Sequence, residues 1–296
     1  MKIRQSSQPL FLVGCSRSGT TLLQSLLAAH PDIASFRESK FFHYGIPEYE
    51  PRRLALGLIS RRLKPRMEIY FRDELERPEL LKRLPQLILL GYYTRRFMAI
   101  MSLLTQEQGK HIFLEKTPDH IYQIDYIEKL IPEARFIHLV RNGVDVVASL
   151  YEVTNKYPKP WGGARTIDRC LDDWKRAIEA TRRHIHQPNH HLVQYEGLVE
   201  NPRPVLEHLC QFIGIEFSEK MLQDYQVMGK QLSLVHEGRA VNQQGIKKGN
   251  YQKFYQIFDQ QQQHYIREQL ATVNLEELIQ TSNSKNSAYQ NITQDK

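Results

Sequence analysis

The tightest constraint on how this chain can fold lies close to its start. Leu10-Phe11-Leu12-Val13 is a short, wholly apolar run, the pattern of a strand buried on both faces. It leads into Gly14-Cys15-Ser16-Arg17-Ser18-Gly19-Thr20-Thr21. Leu22, Leu23, Leu26 and Leu27 then recur at helical spacing as far as Ala29, and His30-Pro31-Asp32 ends the helix. Strand, glycine loop and helix make one unit of an α/β fold. Such a loop presents backbone N–H groups and the positive end of a helix dipole, which together favour an anion. Gly14 and Gly19 allow the backbone to curl closely around it. Arg17 adds a fixed cation with bidentate donors, and Ser18, Thr20 and Thr21 add hydroxyls. The plain alternative is a strand–turn–helix corner without a ligand. Against the nucleoside-triphosphatase loop G-x-x-x-x-G-K-[ST], Gly14, Gly19 and Thr21 fit. The lysine is missing, because Thr20 stands in its place, and the loop cation lies three residues earlier at Arg17.

The rest of the chain continues the alternation. Residues 52–108 read as largely helical with breaks at Pro65, Pro78 and Pro85. Strands are expected at His111–Glu115, Arg135–Val140 and His191–Tyr195. Helices are expected near Pro118, from Gly143 to about Glu152, over Thr166–His186 and over Pro202–Ile213, where Gly214 stops the last. Gly229–Phe254 reads as a long loop, and a final helix continues from Gln260–Gln263. The polar stretch from Ser282 to Lys296 reads as a disordered tail. This order predicts an α/β, P-loop-like three-layer fold, with a mostly parallel central sheet flanked by helices. We expect one domain over residues 1–281. Its nucleotide core spans about 9–45 and 110–255, and a helical insertion at about 46–108 faces the acceptor.

Composition excludes several classes. With 296 residues, 41% hydrophobic and 25% charged, the chain suits an ordinary globular domain rather than a disordered or fibrous one. A formal charge of +7 points to an anionic partner without choosing among nucleotide, sulfated sugar, RNA and membrane. Three widely spaced cysteines, Cys15, Cys170 and Cys210, form no CxxC pair, which argues against a disulfide framework and a zinc site. No apolar run approaches the ~18 residues of a membrane span, and no signal peptide is legible. The expected location is therefore cytoplasmic.

A second anion site is readable downstream. The strand Arg135-Phe136-Ile137-His138-Leu139-Val140 ends on Arg141, at the carboxyl end where ligands gather in open α/β sheets. Ser149 follows about two helical turns later, so the pair could reach a second phosphate group. A solvated arginine and a small helix-contact serine are the bland readings. Asp145 between them suits helix solvation or a local salt bridge.

Together these segments resemble the PAPS-dependent sulfotransferases, which use 3′-phosphoadenosine 5′-phosphosulfate (PAPS). Arg17-Ser18-Gly19-Thr20-Thr21-Leu22 is similar to their 5′-phosphosulfate loop. The longer run through Leu23, with Ala29-His30-Pro31-Asp32, resembles the branch of tyrosylprotein sulfotransferases and bacterial homologues. The resemblance implies that Arg141 and Ser149 bind the 3′-phosphate. It implies Glu38 as general base, with His30 and His43 as rivals because other sulfotransferases use histidine, and Glu115 as a weaker candidate. Glu38 could also be a surface glutamate of Arg37-Glu38-Ser39-Lys40. Lys116, in Phe113-Leu114-Glu115-Lys116-Thr117-Pro118, resembles the family's lysine beside the transferring group; a Glu115–Lys116 surface pair is the alternative. Tyr195 resembles the tyrosine that approaches the nucleotide. Gly245-Ile246-Lys247-Lys248-Gly249-Asn250-Tyr251 loosely resembles the closing segment over the 3′-phosphate, with Lys247, Lys248 and Gly249 as its binding residues and Arg239 as a competing cation.

The expected reaction is sulfuryl transfer from PAPS to an acceptor hydroxyl, with no metal. Carbohydrate, peptide tyrosine, lipid and small metabolite all stay open as acceptor. No specific nucleic-acid partner is expected, and oligomeric state is not legible. A P-loop kinase or hydrolase and a non-catalytic anion- or RNA-binding module are the alternatives.

Overall fold

A computed structural model describes residues 9–233, 246 and 252–280. Five strands form one mostly parallel sheet in the order β2-β3-β1-β4-β5, flanked by helices. They are β1 (Leu10–Gly14), β2 (Ile33–Ser35), β3 (Ile112–Lys116), β4 (Arg135–Val140) and β5 (His190–Gln194). Every residue of β1 is buried, as its unbroken apolar run requires. β1 pairs with β3 in parallel, Phe11 opposite Glu115 and Leu12 opposite Lys116. β2 pairs with β3, also in parallel. Sequence reading misses β2: Ile-Ala-Ser is too short to show a period.

The described residues fall into two compact units. The first comes from Met1–Val13, Thr21–Phe136 and Ser218–Leu234. It holds α1 (Thr20–Ala28) from Thr21 on, α2 (Phe41–Gly45), α3 (Pro51–Ala55), α4 (Leu63–Ile69), α5 (Leu90–Glu107) and α6 (Ile124–Leu130). Pro65 does not break the helical stretch. It sits in the first turn of α4, where a missing N–H costs nothing. The interruptions are non-helical stretches at 56–62 and 84–89, the latter holding Pro85 as expected, with a π-type turn at Tyr70–Glu74 and a 3-10 turn at Pro78–Arg83. Pro118–Gln123 is likewise a 3-10 turn leading into α6. α5 turns Tyr93, Phe97, Ile100, Met101 and Leu104 inward, one stripe at helical spacing. Phe97 stacks on Phe41 with ring centroids 4.1 Å apart, anchoring α2 to α5. Lys110 donates from Nζ to the carbonyls of Ala28 and Ile33 at 2.9 and 2.7 Å, closing the end of α1 onto β2.

The second unit comes from Gly14–Thr20, Ile137–Phe217 and Val235–Lys296. It contains α7 (Gly143–Lys156), α8 (Ile167–His184), α9 (Tyr195–Glu200) and α10 (Pro202–Ile213). α7 runs past the expected end at Glu152. Thr166 caps α8 by accepting from the Arg169 N–H, and Cys170, Leu171, Trp174, Ile178 and Thr181 form its buried stripe. Of the expected loop at 229–254, its first residues belong to a helix over Tyr225–Leu232 and its last to one over Gln252–Ile257. A capping box at Asp259 and Gln262 starts the helix Gln260–Ala271, so the glutamine run lies inside it. All three cysteines are buried. Among the described residues no helix is long and apolar enough to cross a membrane.

Candidate active site

The glycine loop belongs with the segment around Arg141 in the second unit. Gly14 must be glycine: a Cβ there would lie 2.4 Å from the Leu139 carbonyl oxygen, a backbone atom that cannot step aside. Gly19 has φ +96°, and a Cβ would meet the Tyr195 ring at 2.3 Å. The tyrosine therefore packs directly against the loop backbone. Arg17 holds a left-handed conformation at φ 74° although it is not glycine, which costs backbone energy. Its Nε donates to Ser149 Oγ at 3.0 Å, and its guanidinium lies 5.9 Å from the Trp161 ring centroid. The loop arginine and the downstream serine, expected to serve two anion groups, thus touch.

Arg141 makes the local salt bridge that suits Asp145, pairing with it at 2.5 Å one turn along α7. Its guanidinium lies 4.3 Å from the Tyr195 ring centroid, and its carbonyl accepts from Trp174 Nε1 at 3.0 Å. Asn142 caps α7 by accepting from the Asp145 N–H and donates to Glu196 Oε1 at 2.7 Å. Tyr195 opens α9 instead of ending β5, which stops at Gln194, one residue before the expected boundary. Burial pushes its phenol pKa up, so the ring stays neutral.

Buried polar atoms are almost always satisfied. Ser18 Oγ and Arg141 Nε are both buried without a hydrogen-bond partner in the protein. An unused hydroxyl in the glycine loop and an unused guanidinium N–H at the strand end suit an anionic ligand. Thr20 is buried at the helix start, and Thr21 is exposed with Leu22 half-buried beside it.

The candidate acid–base residues lie in the first unit. Lys116, at the end of β3, donates from Nζ to Glu38 Oε1 at 2.6 Å. Their side chains are 5% and 17% exposed, so neither is the solvated surface residue of the bland reading. Lys116 pairs with Glu38 and not with its neighbour Glu115. Arg66 of α4 holds the Glu38 segment in place. It donates to the Ser39 carbonyl at 2.9 Å and to the Glu38 carbonyl at 2.5 Å, while gripping Glu74 through both terminal nitrogens. Glu115, 3% exposed, accepts at Oε1 from Ser39 Oγ and Thr117 Oγ1 at 2.9 and 2.7 Å. Burial pushes its carboxyl up to about 7.

The rival histidines differ from each other. His30 Nδ1 accepts from the Asp32 N–H at 3.0 Å, a turn-closing role. His43 has its pKa lowered, first by burial, with Asp119, Arg62, Lys40 and Glu48 around it. Lys247, Lys248, Gly249 and the competing Arg239 lie outside the described residues. Sequence reasoning missed Trp161 and Arg66. Nothing in the local sequence singles out either, since each is defined by a partner distant in the chain.

A parallel sheet with a lysine-free, arginine-bearing phosphate loop between β1 and α1 defines a nucleotide-handling α/β protein. Residues 9–219 match the Sulfotransferase family, and the chain belongs to that family. It is 27% identical over 225 residues to protein-tyrosine sulfotransferase 1 of Danio rerio, covering 75% of this chain and 57% of that protein. It is 28% identical over 226 residues to protein-tyrosine sulfotransferase 1 of Homo sapiens, with coverage of 75% and 55%. The chain thus spans little more than half the length of these relatives. Among solved structures it resembles the sulfotransferase domain from the curacin biosynthetic pathway, with TM-score 0.60 and 21% identity, covering 90% of this chain and 98% of that one. The sulfotransferase domain of the Synechococcus PCC 7002 olefin synthase matches at TM-score 0.57 and 24% identity, covering 91% and 96%. These likenesses confirm the expected fold.

Proposed function

We propose that this chain transfers the sulfuryl group of PAPS to an acceptor hydroxyl. Family membership gives the reaction class. The observation that carries the donor is the glycine loop, with its unsatisfied Ser18 hydroxyl and its Arg17–Ser149 link. Arg17, Ser18, Gly19, Thr20, Thr21 and Leu22 bind the 5′-phosphosulfate. Arg141 and Ser149 bind the 3′-phosphate, Tyr195 walls the nucleotide, and Lys247, Lys248 and Gly249 close over it. In the transfer step the acceptor oxygen forms a bond to sulfur while the bond from sulfur to the 5′-phosphate oxygen breaks. Glu38 takes the acceptor proton, and Lys116 stabilises charge on the leaving oxygen, so that 3′-phosphoadenosine 5′-phosphate departs. Lys116 is already within hydrogen-bond reach of Glu38, which holds the carboxylate in place until an acceptor displaces it.

The chemistry needs no metal in this reading, so turnover is expected to survive a chelator. The family match runs through residues of both units, which supports their working as one domain over residues 1–281. The names of the curated relatives make a peptide tyrosine the first acceptor to assay, with carbohydrate, lipid and small-metabolite hydroxyls beside it. Calorimetry with 3′-phosphoadenosine 5′-phosphate against ATP tests the donor. Clearly tighter binding of the former is expected. Equal or tighter ATP binding, with magnesium-dependent hydrolysis, would instead establish a P-loop nucleotide hydrolase.

A further inference from the structure

Glu115 is a buried acid with no place in the transfer step above, although it adjoins both of its residues. It precedes Lys116 on β3, and its Oε1 accepts from Ser39, the residue after Glu38. The same oxygen accepts from Thr117, the residue after Lys116. Each hydroxyl is used a second time. Ser39 Oγ accepts from the Phe41 N–H at 3.1 Å, and Thr117 Oγ1 accepts from the Lys40 N–H at 3.1 Å. One carboxylate oxygen thus ties the turn carrying Glu38 to the strand end carrying Lys116. Four hydrogen bonds converge on it directly or through one hydroxyl. Lys40 takes a left-handed φ of 54° within this turn, a conformation that needs such support.

Resting on the reading of Glu38 and Lys116 given above, we propose that Glu115 is a positioning residue that fixes their spacing through Ser39 and Thr117. Burying a carboxyl in an apolar core is costly, and a strand end needs no acid there. The surroundings are consistent with an acceptor kept for geometry. His120 Nδ1 lies 3.9 Å away, and burial holds that imidazole down to about 3, so it supplies no counter-charge. The other charged groups near it are Glu38 and Lys116 themselves. Glu115 touches no group that would meet the acceptor, so its effect passes through the Glu38–Lys116 pair.

The test compares Glu115→Gln, which keeps an acceptor oxygen, with Glu115→Leu, which removes it. Competitive acetylation with acetic anhydride, read by mass spectrometry, reports how firmly Lys116 is held, with Lys110 as internal control. We expect Lys116 labelling in Glu115→Gln to stay close to wild type. In Glu115→Leu it should rise about tenfold while Lys110 is unchanged, a change of the size that coupled neighbours show. Unchanged Lys116 labelling in Glu115→Leu overturns the proposal. So does a parallel rise at Lys110, which would show general loosening. Binding of 3′-phosphoadenosine 5′-phosphate to the same proteins is measured alongside. Its absence in wild type would sink the sulfotransferase reading while leaving the labelling result to stand by itself.

Discussion

Single residues carry the sharpest expectations. If Glu38 takes a proton and Lys116 meets the leaving oxygen, Glu38→Gln and Lys116→Met should each lower turnover by about 10²–10⁴-fold. Glu38→Gln should leave binding of 3′-phosphoadenosine 5′-phosphate almost intact, because its phosphates are assigned to other residues, whereas Lys116→Met should also weaken it, because the leaving oxygen belongs to the 5′-phosphate. A tenfold or smaller loss in Glu38→Gln, measured by sulfate transfer to a phenolic acceptor, would move the base elsewhere, with His43 next in line. Arg66 makes a separate claim. It spends its whole guanidinium on two carbonyls and one carboxylate, and its side chain is only 10% exposed. Arg66→Met would leave Glu74 buried without its partner and release the Glu38 carbonyl. The expected cost is about 3–5 kcal/mol in urea unfolding, the range for breaking a buried pair. A loss below ~1 kcal/mol would show that solvent replaces the clamp.

At the scale of elements, the glycine loop is a packing device as well as the proposed anion cradle. Gly14→Ala would drive a methyl against a strand carbonyl that cannot move, and Gly19→Ala would strike the Tyr195 ring in a backbone region that suits glycine. Both should destabilise, by roughly 1–3 kcal/mol, through strain of this kind. They should separate when combined with Tyr195→Ala, which removes the obstacle to one of them. The double variant Gly19→Ala/Tyr195→Ala should recover part of the loss in thermal unfolding, while Gly14→Ala/Tyr195→Ala should not. Equal behaviour of the two pairs would contradict the contact geometry. These elements also show what the chain made legible. The loop, β1, β3, β4 and the long α8 follow from period and apolar runs, because those signals are local. The β2 strand, the π-type turn after α4 and the contact of Arg17 with Ser149 were not legible. Each depends on what the fold brings alongside: β2 is a strand because β3 offers it a ladder, and Arg17 meets Ser149 across 132 positions of sequence. Glu38 and Lys116 could be named from resemblance, but their 2.6 Å pairing joins positions 78 residues apart and lies beyond any local pattern.

For the whole molecule the same buried groups set the response to pH. Burial lowers His43 and, more deeply buried, three further histidines: His120 to about 3, His191 to about 4, and His138 well below its ordinary value. His138 shares one hydrogen bond with His190 at 2.8 Å, Nε2 to Nδ1, so a second proton there would set two donors against each other. In the unfolded chain each of the three more deeply buried histidines takes up a proton near pH 6.5, while the folded protein keeps it neutral. The stability these groups contribute is therefore full above about pH 6.5 and is lost as pH falls below it, by about 1.4 kcal/mol per pH unit for each histidine. Glu115 acts with the opposite sign. Its folded pKa of about 7 lies above the ordinary carboxylate value of 4.5. Its stability is full below pH 4.5 and is lost as pH rises through 7, so on acidification it offsets one histidine. The net expectation is a fall of about 3 kcal/mol per pH unit between pH 6.5 and 4.5, the sum of three losses and one gain. Urea unfolding at pH 8, 7, 6 and 5 measures this slope. In Glu115→Gln the offset disappears, so the acid slope should steepen by about 1.4 kcal/mol per unit, with the protein gaining stability relative to wild type at pH 8. A wild-type slope near zero, or a Glu115→Gln slope no steeper than wild type, would mean that these groups are solvated in the folded protein.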